Sequence, residues 1–297
     1  MGEELRFAYY PGCSAHSTSK EYETSFRYVC EKLGITLVDI ENWVCCGASA
    51  GHFYDIGFSV ALACDTLVKA RDIGLPLITV CPACYNRLLH ANYLIKEDGE
   101  LAKRVADTIG SEYDGQHEVY NILDAFSKID IEEAKPIVER PLDGLKVACY
   151  YGCLFTRPPK MTNFKRYEDP LVMENILSLT GVDPVDYNHK VNCCGGSLSL
   201  SNTEVLGKLV GEILDDALRN GAEVIATACP LCQSTLELRQ NEASKYLGRK
   251  IRVPITYFTQ LMAYSFGADK KTVGFGRNWI SPASIINDLE KREVKAG

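Results

Sequence analysis

The sequence predicts an α/β protein made of two parallel α/β repeats related by a pseudo-twofold. Three observations carry that prediction. First, the chain of 297 residues repeats itself: Phe7-Ala8-Tyr9-Tyr10-Pro11-Gly12-Cys13 is echoed by Val147-Ala148-Cys149-Tyr150-Tyr151-Gly152-Cys153 at an offset of 140. Trp43-Val44-Cys45-Cys46-Gly47-Ala48-Ser49 returns as Val191-Asn192-Cys193-Cys194-Gly195-Gly196-Ser197, and Ile78-Thr79-Val80-Cys81-Pro82-Ala83-Cys84 as Ala226-Thr227-Ala228-Cys229-Pro230-Leu231-Cys232, both at 148. Second, strand-like apolar runs alternate with helical stretches in both copies, the order of parallel α/β units. Third, every cysteine signature follows a predicted strand, at the carboxyl end where such sheets place their sites.

The elements follow in chain order. Leu5–Tyr10 and Leu145–Tyr150 are short, aromatic-rich runs ending in Gly-Cys, as a buried strand requires. A helical stretch follows (about 20–33; about 170–179), then a short strand (35–40; 184–187), the Cys-Cys-Gly turn and a long helix (about 54–73; about 204–220). A third strand (75–80; 222–228) runs into Cys-Pro-x-Cys, whose proline suits the first turn of another helix. That start directs two sulfurs and several free backbone N–H groups to one point. Between Cys46 and Cys81, and between Cys194 and Cys229, the spacing is 34 residues, whereas the second copy carries eight extra residues before its Cys-Cys-Gly. The expected division is 1–143, 144–268 and a tail, 269–297, serving as a lid or as a contact between subunits.

Ten of the thirteen cysteines belong to the signatures: Cys13, Cys45, Cys46, Cys81 and Cys84, then Cys153, Cys193, Cys194, Cys229 and Cys232. A thioredoxin-like dithiol leaves both Cys-Cys pairs unexplained. Haem attachment needs a histidine where Tyr85 and Gln233 stand. Four of five thiolates in either copy suffice for structural zinc, so that reading stays open. The close-spaced cysteine run of a cubane ferredoxin is absent. Cys30 and Cys64, inside predicted helices, read as core residues, and Cys149 as core with an option of supporting the site.

Composition narrows the class. The formal charge is −7, divided as net −10 over residues 1–143 and net +3 over 144–297, and no basic stripe with interleaved aromatics suggests nucleic acid. The opening Gly2-Glu3-Glu4-Leu5-Arg6 is charged, and the longest uncharged run, Val253 to Ala268, is interrupted by Pro254 and Gln260. A cytoplasmic location without a membrane segment is expected. No glycine-rich dinucleotide or phosphate loop is recognisable, since Gly274-Phe275-Gly276-Arg277 lacks the third glycine, so electrons are expected from another protein.

The pattern Cys-x31-Cys-Cys-Gly-x33-Cys-Pro-x-Cys, repeated with x39 in its first spacer, resembles the duplicated CCG domain, and the two-copy chain is most similar to the B subunits of methanogen heterodisulfide reductases. The resemblance spans about residues 5–265. It implies that each repeat is a CCG domain holding a noncubane [4Fe-4S] cluster through its five cysteines. It also implies reduction of the coenzyme M–coenzyme B mixed disulfide to two thiols. The implied partners are the small ferredoxin-like iron–sulfur C subunit of the same heterodisulfide reductase and, through it, the flavin-containing A subunit. CCG subunits also serve as electron relays in fumarate-, lactate- or glycolate-linked complexes, the alternative. Disulfide cleavage needs two electrons and two protons; His16, His52 and His189 stand near cluster cysteines as candidate proton donors. Arg157 and Lys160, with Lys165 and Arg166, occupy the longer second spacer and are the candidate binders of the substrate's anionic groups. In the tail, Gly274-Phe275-Gly276-Arg277-Asn278-Trp279-Ile280 is expected to expose aromatic and apolar side chains.

Overall fold

Among the described residues, eight short strands form two parallel sheets of identical connectivity. The computed structural model describes residues 5–48 and 51–296; Ser49 of the first Cys-Cys-Gly signature and the Gly2-Glu3-Glu4 opening lie outside the described residues. The first sheet contains β1 (Arg6–Tyr10), β2 (Thr36–Asp39), β3 (Leu77–Thr79) and β4 (Val119–Asn121), in the order β2-β1-β3-β4. The second contains β5 (Lys146–Tyr150), β6 (Asp183–Val185), β7 (Val224–Thr227) and β8 (Ile255–Tyr257), in the order β6-β5-β7-β8. All pairings are parallel, and in register Tyr10 faces Thr79 as Tyr150 faces Thr227. The order in which successive strands are added reverses at the central pair of each sheet, β1/β3 or β5/β7, so the carboxyl ends of those parallel strands frame a crevice.

The burial pattern explains the sequence pattern. Residues 7–10 and 147–150 are buried throughout, as in a parallel sheet covered on both faces, while β2 and β6 at the edges are partly exposed. The long helices are Ile56–Ile73, capped by the Asp55 carboxylate accepting from Phe58 N at 2.7 Å, and Thr203–Arg219, capped by Asn202 accepting from Val205 N at 3.1 Å. Pro82 and Pro230 open the helices Pro82–Glu97 and Pro230–Leu238, as expected. The fourth strand of each sheet, β4 and β8, is additional to the three strands per copy that the sequence predicts.

The chain divides into two compact units: the described residues of 1–23, 34–128 and 154–165, and those of 24–33, 129–153 and 166–297. Each five-cysteine set lies within one unit. In the first, Cys46, Cys81 and Cys84 belong to a core with Ala8, Tyr10, Leu67 and Leu88; in the second, Cys194, Cys229 and Cys232 belong to one with Ala148, Tyr150, Leu206 and Leu236.

Candidate metal centres

The two cysteine sets occupy equivalent places. In the first unit, Cys13 follows β1, Cys45 and Cys46 lie in the loop after β2, and Cys81 and Cys84 sit at the start of the helix after β3. The second unit repeats this with Cys153 after β5, Cys193 and Cys194 after β6, and Cys229 and Cys232 after β7. In each set three sulfur residues are buried, Cys46, Cys81 and Cys84 or Cys194, Cys229 and Cys232. Cys13 and Cys45 are exposed, as is Cys193, with Cys153 half-buried, so each set has a sealed floor and an open rim.

Within a set the sulfurs are close enough to hydrogen-bond to one another. Cys46 Sγ lies 3.3 Å from Cys84 Sγ. Hydrogen bonds from Cys45 and Cys84 hold the Cys46 thiol down at about 3, and one from Cys84 lowers Cys81, while the donors Cys45 and Cys84 are pushed up. In the second set Cys153 holds Cys193 down to about 6 and Cys232 lowers Cys194, with Cys153 and Cys232 raised. Backbone N–H groups add to this, Gly195 N donating to Cys193 Sγ and Cys232 N to Cys229 Sγ, both at 3.4 Å. Clustered thiols of this kind suit soft cations, because the thiolate is the ligand. Among the described residues, no group of three or more His, Cys, Asp or Glu side chains is arranged around a single metal ion.

A buried tyrosine anchors each set. Tyr10 Oη donates to Val44 O at 2.8 Å, and Tyr150 Oη to Asn192 O at 2.6 Å, in both cases the residue preceding Cys-Cys-Gly. Burial pushes both phenols up, and the sulfurs of Cys84, Cys46, Cys45 and Cys13 around Tyr10, or Cys232, Cys194 and Cys153 around Tyr150, push them further. Threonines at the strand ends serve the third signature: Thr79 Oγ1 accepts from Cys81 N at 3.4 Å, and Thr227 Oγ1 from Cys229 N at 3.3 Å. In the sequence these tyrosines and threonines read only as strand residues; their shared offset from the cysteines is the signal that marks them.

The residues fit an iron–sulfur group by donor number, softness and space. Five thiol sulfurs exceed the four that a tetrahedral ion takes. Gly12 and Gly152 both have φ of +67°, and a Cβ there would stand 2.9 Å from Cys84 Sγ or 2.8 Å from Cys232 Sγ. Only glycine lets the backbone pass the sulfurs this closely.

The remaining candidates divide. His16 is exposed, its ring edge-on to Trp43 at 5.5 Å. His52 Nδ1 is buried without a hydrogen-bond partner among the described residues. His189 Nδ1 lies 2.8 Å from Asp216 Oδ2, which also accepts from Asn188 N and His189 N. Arg157 and Lys160 are exposed and belong to the unit containing the first cysteine set, where Asn86 Nδ2 donates to Arg157 O at 2.9 Å and Lys160 Nζ stands 5.8 Å from the Tyr93 ring. Asn86 and Tyr93 lie on the helix that begins at Cys81-Pro82. Arg166 is paired with Asp169. Cys30, Cys64 and Cys149 are buried, and burial pushes each thiol up. In the tail, Phe275 is buried beside Tyr264, contrary to the exposure expected of that segment, because Asn278 Nδ2 donates to Ile255 O at 2.8 Å and Gln260 Nε2 to Val273 O at 3.0 Å. Trp279 is exposed.

The model of the CCG cysteine-rich domain matches residues 7–89 and 147–237. Over 95% of its length the chain is 32% identical to a protein of Wolinella succinogenes named 8-methylmenaquinol:fumarate reductase membrane anchor subunit, covering 99% of that protein. It is 29% identical over 98% of its length to the B subunit of the Ferredoxin/F(420)H(2)-dependent CoB-CoM heterodisulfide reductase of Methanosarcina acetivorans, covering 99% of it. Among solved structures, a hypothetical protein from Helicobacter pylori shares the fold with a TM-score of 0.72 at 14% identity, over 94% of this chain and 53% of that one. Among the described residues, no helix is long and apolar enough to cross a membrane.

Proposed function

The chain belongs to the cysteine-rich CCG domain family, in two copies, and from that premise we propose that it is a cytoplasmic iron–sulfur redox protein of the heterodisulfide reductase B type. Cys13, Cys45, Cys46, Cys81 and Cys84 would hold one noncubane [4Fe-4S] cluster, and Cys153, Cys193, Cys194, Cys229 and Cys232 another. The observation that carries the reading is the duplicated five-sulfur set with its glycine clearance, at 2.9 Å from Cys84 Sγ and 2.8 Å from Cys232 Sγ. Bound there, the clusters supply one-electron transfer, and two of them match the two electrons that cleave a disulfide.

The chain's own residues do the rest. Tyr10 and Tyr150 fix the Cys-Cys-Gly turns through their hydrogen bonds to Val44 and Asn192. The exposed Cys13 and Cys45, and the exposed Cys193 beside half-buried Cys153, leave an approach for the mixed disulfide of coenzyme M and coenzyme B. Arg157 and Lys160 offer charge-assisted contacts to its anionic groups. His16, His52 and His189 are the candidate proton donors; the Asp216 contact orients the His189 ring. Exposed Trp279 is a candidate contact for the small ferredoxin-like iron–sulfur partner, which would take electrons from the flavin-containing one.

Anaerobic purification with iron and sulfide analysis tests the reading, with about eight irons per chain expected for two four-iron clusters. Reduced viologen should then be oxidised by the heterodisulfide. One zinc per set without sulfide would overturn it. Full iron content without heterodisulfide turnover would instead favour the second reading, an electron relay within a fumarate-linked complex, which the 32% identity to the Wolinella protein supports.

A further inference from the structure

The repeat differs in charge on the helix that follows each Cys-Pro-x-Cys. Arg87 follows Cys84 by three residues on the helix Pro82–Glu97, and the corresponding residue, 148 positions on, is Thr235, three after Cys232 on the helix Pro230–Leu238. Residues three apart on a helix share a face, so each projects from the turn above the second cysteine of its Cys-Pro-x-Cys. In the first unit that cysteine meets Cys46 at 3.3 Å between sulfurs. Arg87 is half-buried and, among the described residues, has no carboxylate within ion-pair distance, so its charge is not locally neutralised. Beyond burial, it also disfavours the charged form of His90 one turn along the same helix. Thr235 is buried, gives its hydroxyl to Leu231 O at 2.7 Å, and brings no charge to Cys194 and Cys232.

We propose that Arg87 raises the reduction potential of the cluster held by the first cysteine set, and that Thr235 leaves the second without this charge. The inference rests on the cluster reading above. Reduction adds one electron from an external donor, hence one negative charge, to a cluster. A guanidinium in partly buried surroundings favours that state, and net charge beside a cluster is one of the settings of its potential. The two centres thereby become unequal acceptors within a duplicated chain. Arg87 acts through the cluster's surroundings and is a tuning residue, not a catalytic one.

The test is an anaerobic potentiometric titration with dithionite and ferricyanide, followed by electron paramagnetic resonance, on the full chain with its clusters. Arg87→Thr should move one reductive wave to lower potential and leave the other in place, and Arg87→Lys should restore most of the shift. Thr235→Arg should raise the other wave. Iron and sulfide content establishes that both clusters are present in each variant. Where Arg87→Thr loses a cluster, Thr235→Arg decides alone, since it adds a charge instead of removing one. Clusters present with waves unmoved overturn the role of Arg87 while sparing the cluster reading; a parent chain without iron and sulfide overturns both.

Discussion

The Tyr150 hydroxyl donates to the carbonyl of Asn192 at 2.6 Å, tying the end of a central strand to the residue before a Cys-Cys-Gly turn. Tyr10 and Val44 repeat the arrangement in the first unit at 2.8 Å. The phenol of Tyr150 is fully buried, so Phe in its place preserves the packing and orphans one carbonyl. Tyr150→Phe should cost about 1–3 kcal/mol. The check is anaerobic urea unfolding together with iron content, which is expected to fall in the second set only, with Tyr10→Phe acting on the first.

Glycine clearance separates crowding from backbone strain. Gly12→Ala introduces a Cβ 2.9 Å from Cys84 Sγ at a φ of +67°, whereas Gly34→Ala meets a similar φ, +70°, with nothing within 4 Å. Both variants should lose roughly 1–2 kcal/mol to the left-handed conformation. Only Gly12→Ala, and likewise Gly152→Ala, should also lose about half of the iron expected of two clusters. Equal iron in Gly12→Ala and Gly34→Ala would show that the close approach is immaterial.

Legibility of the fold follows from burial. β1 and β5 announce themselves as apolar, aromatic runs because they are covered on both faces, whereas β4 and β8 span three residues each and exist through pairings such as Leu77 with Val119 and Ile225 with Ile255. A strand that short has too few side chains to display a period, and no cysteine signature follows β4 or β8 to mark them as one does the equally short β3 and β6. The cysteines are legible because they recur at fixed offsets. Tyr10 and Tyr150 do not show themselves as anchors, since a buried tyrosine reads as core until the partner of its hydroxyl is known, and that partner lies 34 or 42 residues away. Phe275 misleads for a similar reason: the polar groups that bury its segment, Gln260 and Asn278, meet only in the folded chain at 3.3 Å.

Asp216 gives stability a defined acid dependence. Burial opposes its charge, yet the His189 ring and the backbone N–H groups of Asn188 and His189 hold its carboxyl below the ordinary value of 3.8. A depressed carboxyl contributes fully above its unfolded value and loses that contribution as pH falls through the folded one. Asp216→Asn should therefore be less stable than the parent at neutral pH by on the order of 2 kcal/mol, the scale of hydrogen bonds to a charged group. Thermal unfolding across pH should show the difference closing on acidification below 3.8. A gap that persists unchanged in acid would locate the effect in packing.

Lys190 carries the strongest prediction because its charge is 2% exposed. Its ammonium stands 3.3 Å from Glu174, itself buried, and 3.2 and 3.4 Å from the more exposed Asp169 and Asp186. Glu174 also accepts from Tyr151, which in turn accepts from Met173 N at 2.7 Å, while Lys190 O receives the N–H groups of Tyr151 and Gly152. The network thus holds the backbone leading to Cys153. Removing one member of a buried pair leaves the other uncompensated, so Lys190→Met should cost about 3–5 kcal/mol. The double variant with Glu174→Gln should recover part of that, a coupling that a mutant cycle in urea reads directly. Burial raises Glu174 despite its hydrogen bonds from Tyr151 and its lysine partner, so its contribution is complete below the ordinary value of 4.5 and is lost as pH rises through the raised one. Glu174→Gln should flatten the stability profile in that window. Because Pro11 and Asn42 replace Tyr151 and Lys190 in the first copy, iron loss in Lys190→Met is expected from the second cysteine set alone.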